Sequence, residues 1–566
     1  MLYNILYIKS NLGAKSMDFT KLANLLFPEV DKTLEYYEEL YKERDLKEGA
    51  RVTRFAPSPT GYLHIGGLFS GLISKLTADV SDGAFYLRIE DTDKKREVED
   101  GVSGIVKGLR DFGIDIAEGV TGYETESGDY GPYTQSKRAE IYHCVAKKLV
   151  VDGLAYPCFC TADEVQAIRD AQEAEGVLPG YYGKYAKCRD LSLEEIEEKV
   201  ASGVPYVLRL RSPGREDGKI IFDDMIKGKI EMPENIVDVV LLKTDGIPTY
   251  HFAHCCDDHF MRTTHVVRGD EWISSVPTHI QLFKSCGFKV PKYAHIAPIM
   301  KLDDGNKRKL SKRKDPEAAV EYYSEQGYPK ESVLEYLYTL ANSNFEDWRR
   351  ANKDAALSEF PFNLKKMSVS GALFDLVKMN DVSKNVICVK DADWVLERTL
   401  KWAEEYDKDF FDLLSADKAK ARAILNIDRE NPKPRKDIAK WSDVPEYVAY
   451  FYNYVADYSV LPENIDKADA VAVLKAYKDV WSAADEKDAW FEKLKGLCEP
   501  LGFTPNVKEY KANPDAFKGH VGDVSTIVRV AMTSRTNTPD LCSIMQILGE
   551  AEVMNRIDAA IAAWEK

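Results

Sequence analysis

At 566 residues the chain is longer than one hydrophobic core can cover, and a typical span of about 100–200 residues per domain calls for roughly three to five modules. Hydrophobic residues make up 45% and charged residues 30%, which excludes a disordered or membrane-embedded chain, and ten cysteines spread over this length form no disulfide framework. The net charge of −16 disfavours a uniformly basic nucleic-acid binder, yet Lys307–Lys314 packs six cations into eight residues, so a local polyanion site survives.

Met1–Ser16 shows no clear pattern, and Met17 offers an alternative start. Phe19–Lys42, with Leu22, Leu25, Leu26, Leu34, Tyr37 and Leu40 near helical spacing, reads as an amphipathic helical stretch lying on the body of the protein. From Arg51 the texture changes. A β-prone run, Val52–Phe55, enters the loop Ala56-Pro57-Ser58-Pro59-Thr60-Gly61, and a helix-forming segment follows from about His64. A second strand over Ala84–Ile89 ends in Glu90-Asp91-Thr92-Asp93, which puts carboxylates at a strand's carboxyl end, where open α/β sheets build ligand sites.

Residues 135–235 mix helical and strand-like pieces and read as an insertion that splits a nucleotide-binding fold into halves 50–134 and 236–315. Ile236–Leu242, interrupted by Asp238, resumes the strand pattern before the turn Asp245-Gly246. Beyond about residue 320 the chain reads as helical, with a proline-containing break at Asn431–Pro434. No apolar stretch approaches the ~20 residues that span a bilayer, and no secretory signal is visible, so a cytoplasmic protein without membrane contact is expected.

Two motifs carry the chemistry. In Arg54-Phe55-Ala56-Pro57-Ser58-Pro59-Thr60-Gly61-Tyr62-Leu63-His64-Ile65-Gly66-Gly67, glycines allow close backbone approach, a helix start aims N–H groups at phosphate, and His64 adds a donor. In Lys309-Leu310-Ser311-Lys312-Arg313, paired lysines suit a triphosphate and the charge that develops on leaving pyrophosphate. His64 and Lys309 stand 245 positions apart and flank a split α/β pattern. Together the motifs resemble the two ATP signatures of class I aminoacyl-tRNA synthetases, and the extended first motif resembles the glutamyl-tRNA synthetases, where glutaminyl enzymes favour Pro-Pro-Glu-Pro-Asn-Gly.

Further matches are Leu87-Arg88-Ile89-Glu90-Asp91-Thr92-Asp93, Gly131 to Arg138, Pro248-Thr249-Tyr250-His251 with Asp257-Asp258-His259, Val267 to Trp272, Ser370 to Asp375, and Gly522 through Thr536. The resemblance covers most of residues 50–566 and leaves 1–49 as an N-terminal, helical extension. It implies a split Rossmann-type α/β catalytic domain with an inserted acceptor-binding domain at 135–235, a stem-contact region at 316–369 and an all-helical anticodon-binding region at 370–566.

For the site, the resemblance implies that Arg54, Ala56, Ser58, Glu90, Tyr250, His254 and Arg268 receive glutamate. Glu90 is suited to the ammonium and the arginines to the carboxylates. It places His64, Gly66, Gly67, Glu271, Met300, Lys309, Ser311 and Lys312 at ATP, with Trp272 as a wall, and gives catalytic roles to His64, Lys309 and Lys312. His254 departs from the asparagine common in the family, and Leu68-Phe69-Ser70-Gly71 departs from Ala-Arg-Thr-Ala.

Cys158-Phe159-Cys160 followed by Cys188 suits either a sulfur-rich structural zinc site or simple burial. Some bacterial members hold zinc there with a tyrosine, which implies the set Cys158, Cys160, Tyr185 and Cys188. Cys255-Cys256 reads as packing.

The implied reaction is ligation of L-glutamate to glutamate tRNA with ATP and Mg²⁺ through a glutamyl-adenylate, by a monomer. Three alternatives stand beside it: a non-discriminating form that also charges glutamine tRNA, a non-catalytic tRNA-binding paralogue, and the short base-modifying relative. Residues 370–566 argue against the last. Retention of His64, Glu90 and Lys312 argues against the paralogue.

Overall fold

The computed structural model describes residues 17–61, 63–93, 98–311, 313–462 and 464–566. The chain separates into two compact units, one running to Glu321 and including Leu337–Asp375, the other comprising Tyr322–Tyr336 and Leu376–Lys566.

The first unit opens with helices α1 (Phe19–Leu26) and α2 (Leu34–Leu40). The amphipathic stretch expected over Phe19–Lys42 is thus two helices. Pro28 cannot supply a helical N–H, and the chain turns there before Thr33 caps α2. Leu22, Ala23, Leu26, Tyr37 and Tyr41 are buried in one core with residues of the later helices at 139–151 and 250–260. Arg44 then forks onto Glu118 at 2.7 and 2.6 Å, its guanidinium 3.9 Å from the Tyr130 ring centre.

Strand β1 (Val52–Phe55) leads through helix α3 (Ile65–Asp79) to a parallel partner β2 (Ala84–Leu87). Helix α4 (Gly101–Asp111) then returns the chain to β3 (Glu118–Gly122), parallel to β2, with β4 (Thr125–Ser127) antiparallel at the edge. Strand–helix–strand crossovers of this kind are what parallel pairing demands.

Helix α5 (Ala139–Val151) is followed by β5 (Ala155–Cys158), α6 (Ala162–Glu175), α7 (Leu193–Ala201), β6 (Val207–Leu210), the hairpin β7 (Lys219–Asp224) with β8 (Gly228–Pro233), and β9 (Val240–Leu242). Here the strand expected over Ile236–Leu242 is corrected. Only Val240–Leu242 is extended, and it pairs antiparallel with β6 rather than with the parallel strands. The cause is Asp238, fully buried and accepting from Tyr156 Oη at 2.6 Å, Arg189 Nη1 at 2.8 Å and Ser212 N at 2.8 Å. Its network bends the approach to the strand.

The parallel pattern resumes after helix α8 (Tyr250–Phe260), with β10 (His265–Gly269), helix α9 (Val276–Cys286) and β11 (Lys292–Ile296), parallel to β10. Thr264 N donates to Val52 O at 3.0 Å, tying the foot of β10 to β1. The hairpin β12 (Met300–Asp303) and β13 (Asn306–Lys309) carries the basic stretch.

The second unit is helical among its described residues. Aspartates cap its helices repeatedly: Asp391, Asp407, Asp417, Asp466 and Asp540 each accept a backbone N–H at a helix start. Val524, Ile527, Val528 and Ala531 of Val521–Thr533 are fully buried, a face of 3, 4 and 7 spacing that anchors one core. No described helix of the chain is long and apolar enough to cross a membrane.

Candidate active site

The carboxyl ends of β1, β2, β10 and β11 converge on a cavity of about 1440 Å³, as parallel sheets do where they bind ligands. Its lining includes Arg54, Ala56, Ser58, Glu90, Tyr250 and Arg268 from the expected glutamate set, and His64, Gly66, Gly67, Glu271 and Lys309 from the expected ATP set, with Trp272 beside them. Met300 and Ser311 do not line it. Met300 opens β12 and is fixed through its backbone to Ala372 and Phe374, while Ser311 N donates to Asp315. Lys312 lies outside the described residues.

His64 is the N-cap of α3. Its Nδ1 accepts from Gly67 N at 3.0 Å, which leaves the ring proton on Nε2. A Cβ at Gly66 would lie 3.0 Å from that Nδ1, so the glycine gives the imidazole its seat. Of the basic stretch, Arg308 is already engaged by Asp303 and by both oxygens of Asp315. Lys309, beside it, lines the cavity.

The amino-acid end is an array of buried charge. Asp258 accepts from Arg88 Nη1 at 2.6 Å and Arg54 Nε at 3.3 Å, and Arg88 Nη2 donates to Glu90 at 3.0 Å. Burial opposes ionisation of Asp258, but Arg54 and Arg88 outweigh it and hold its pKa well below the usual carboxylate value. Burial raises Glu90, against the pull of Arg88 and Arg54. Asp257, next in sequence, accepts from Arg138 Nε at 2.6 Å and Tyr142 Oη at 2.9 Å and has its Oδ2 3.9 Å from Arg88 Nε. Arg54 and Arg88 thus meet Asp258, and Arg88 also Glu90, whereas the cavity-lining Arg268 donates to His295, His279, Tyr250 and Trp272 O rather than to a carboxylate.

His254, expected to touch glutamate, does not line the cavity. It sits one turn behind Tyr250 on α8, the rings stacked at 6.0 Å and 12°, and its Nδ1 is 2.8 Å from Asp258 Oδ2. Burial pushes the imidazole down to about 3, so it is neutral at physiological pH and supports the floor of the site.

The thiols of Cys158, Cys160 and Cys188 all lie within 4.8 Å of one another. Tyr185 is not with them: its hydroxyl donates to Glu175 at 2.5 Å. Tyr181 takes that place, its hydroxyl 3.3 Å from Cys160 Sγ and accepting from Cys188 N at 2.9 Å, with the Arg209 guanidinium 4.2 Å over its ring. A hydrogen bond from Cys188 leads the effects that lower the pKa of Cys158. Cys160 and Cys188 Sγ are 3.7 Å apart, far beyond the ~2.05 Å of a disulfide and close to the ~3.8 Å edge of a tetrahedral zinc–thiolate site.

A family described as the catalytic domain of class I tRNA synthetases (E and Q) matches residues 51–381, and one described as an anticodon binding domain matches 508–561. A glutamate–tRNA ligase of Clostridium perfringens strain 13 is 52% identical over 546 residues, which cover 96% of this chain and 100% of that protein. The chain belongs to the glutamate–tRNA ligase family. The Acetivibrio thermocellus member is 49% identical, over 96% of this chain and 99% of its own. A crystal structure of the Elizabethkingia meningosepticum family member, described as in complex with its amino acid, superposes with a TM-score of 0.72 at 28% identity, over 90% of this chain and 99% of that one.

Sequence reasoning missed Arg88, Asp257, Asp258 and Lys243 as parts of this family site. The first three lay inside quoted motifs, but nothing in their spacing marked them as buried. Lys243 lines the cavity and donates to Thr92 O at 2.9 Å, closing the loop after Glu90 against the end of β9. A lysine just after an apolar strand was the available signal.

Proposed function

We propose that this cavity activates L-glutamate with ATP and Mg²⁺ and transfers it to the 3′ end of glutamate tRNA. Arg268 carries the reading, as a cavity-lining guanidinium whose protein partners are neutral groups, because zwitterionic glutamate has a net charge of −1 and glutamine has none. Glu90 receives the ammonium, and Arg54 and Arg268 receive the carboxylates. The α-carboxylate attacks the α-phosphorus of ATP as pyrophosphate departs in line. His64 Nε2–H, the α3 amino terminus, Lys309 and Lys312 stabilise the triphosphate, and Mg²⁺ carried by ATP adds to that neutralisation. The terminal 2′-hydroxyl of the tRNA then attacks the carbonyl carbon of the adenylate, forming the ester as the mixed-anhydride bond breaks and AMP leaves, with no protein nucleophile.

Charging of glutamate and glutamine tRNA transcripts with radiolabelled glutamate tests this. Glutamate tRNA is expected to be charged. If glutamine tRNA is charged as well, the protein is the non-discriminating form, and if neither is, the reading fails.

Cys158, Cys160 and Cys188 fit a structural zinc ion, which when bound would tie β5 to the segment after Tyr181. Purified protein is expected to carry about one zinc per chain, lost in Cys188→Ser and kept in Tyr185→Phe, as read by elemental analysis. Loss of zinc in Tyr185→Phe would restore that tyrosine as a ligand.

A further inference from the structure

Arg268 leaves the end of β10 only 6% exposed, and its donors are almost fully accounted for. Nε donates to His295 Nε2 at 3.1 Å, Nη2 to His279 Nδ1 at 3.1 Å and to Trp272 O at 3.4 Å, and Nη1 to Tyr250 Oη at 3.3 Å. A guanidinium has only protons to offer, so both imidazole nitrogens facing it must be unprotonated acceptors. That requirement fixes the tautomers. His295 carries its proton on Nδ1, given to Asp224 Oδ2 at 2.6 Å, and His279 carries its proton on Nε2, given to His251 Nδ1 at 2.9 Å.

The second layer is itself held. Asp224 accepts from Ile226 N at 3.0 Å, Lys227 N at 2.9 Å and His295 N at 3.1 Å, so its carboxylate cannot swing from the imidazole. The Tyr293 ring lies under the guanidinium at 5.0 Å. Tyr250 and Arg268 line the cavity, whereas His279 and His295 do not.

We propose that His279 and His295 are positioning residues for amino-acid recognition, gripping Nε and Nη2 of Arg268 as neutral acceptors so that Nη1 is the donor presented to a substrate carboxylate. This rests on the reading of Arg268 as a glutamate ligand. A guanidinium spent on two sides by protein acceptors binds the carboxylate through one nitrogen rather than as a two-pronged fork. It also explains why a lysine, with no second edge, could not fill the position.

The surroundings keep both imidazoles neutral. His295 faces Asp224, Arg268, Lys227 and Tyr293; burial lowers its pKa, with Arg268 and Lys227 acting the same way and Asp224 opposing. His279 faces His254, Arg268, His251 and Asp258; burial and the first three put it well below the ordinary value, with only Asp258 opposing. Protonation of either would set a cation against Arg268 and remove its acceptor.

ATP–pyrophosphate exchange with the full chain tests the proposal. His295→Leu and His279→Leu are each expected to raise the glutamate KM about 10- to 100-fold, the worth of a hydrogen bond to a charged group, while the ATP KM stays put. His295→Gln and His279→Asn, which return a carbonyl oxygen near the lost nitrogen, are expected to recover most of the loss. Unmodified protein should show a flat glutamate KM from about pH 8 down to about 6.5, the ordinary histidine value. Glutamate and ATP KM rising together without amide rescue would reduce the histidines to packing and overturn the proposal. So would a glutamate KM that climbs with an apparent pKa above about 6.5. Should a leucine variant not fold, an amide variant that folds but binds glutamate as poorly as Arg268→Lys also overturns it. Arg268→Lys separates the two layers: an unchanged glutamate KM there removes the ligand reading, whereas a raised KM there with unchanged values in both leucine variants removes the positioning role alone.

Discussion

Asp258→Asn is expected to cost the folded protein about 3–5 kcal/mol and to raise the glutamate KM sharply, although residue 258 is not expected to touch the substrate. The Asp258 carboxylate is 1% exposed and is the shared counter-ion of Arg54 and Arg88. Asparagine keeps one acceptor and replaces the other with a donor, which would face a guanidinium or the Nδ1 of His254. The two buried cations would then be left with Glu90 and, beside Arg88, with Asp257 at 3.9 Å, and Arg54 would lose its ion-pair partner. Because the folded pKa of Asp258 is depressed below that of a free carboxylate, its stabilisation is fully present above about pH 4 and is lost as pH falls through the folded value. The cost should therefore be constant between about pH 8 and 5. Urea unfolding at two pH values in that window checks both statements. A loss below about 1 kcal/mol would mean that the guanidiniums are compensated from elsewhere.

How much of this was visible in the sequence follows from how each feature is encoded. The strand–loop–helix entry to the site was legible because local chemistry writes it: β-prone Val52–Phe55, the prolines at 57 and 59, and glycines 66 and 67, of which Gly66 leaves room for the His64 ring and Gly67 for Leu63 at the helix start. Glu90 was legible because it lies just past a strand, although that strand, expected to Ile89, ends at Leu87. What escaped is tertiary. Asp257 and Asp258 are neighbours in sequence, yet successive helical residues point about 100° apart, so one serves Arg138 and the other Arg54 and Arg88. His254 lies four residues from Tyr250 and shares its face of α8, but one turn deeper, so a spacing that suggested a ligand describes a support. Three tyrosines, 181, 182 and 185, crowd the turn before Cys188, and spacing cannot tell which faces the thiols. Likewise Arg44 and Glu118 meet across 74 positions to fasten the N-terminal helices, a pairing that neither local segment announces.

The two tasks assigned to His64 can be taken apart. As an N-cap, its Nδ1 satisfies Gly67 N–H, a service worth about 1 kcal/mol that asparagine also performs well. As a phosphate donor it offers Nε2–H, beyond the reach of the shorter asparagine. His64→Asn is therefore expected to leave the unfolding free energy within about 1 kcal/mol of the original and to lower kcat for ATP–pyrophosphate exchange about 10²- to 10³-fold, the loss seen when one preorganised donor to developing charge is removed. His64→Ala should show the same kinetic loss with the capping energy lost as well. The two variants would then differ in stability and agree in rate. If His64→Asn instead keeps the rate, the imidazole acts only by shaping the helix start, and the stabilising charge falls to the α3 N–H groups and the lysines of the basic stretch. Equal destabilisation of both variants would place the cap, rather than the donor, at the centre of the motif.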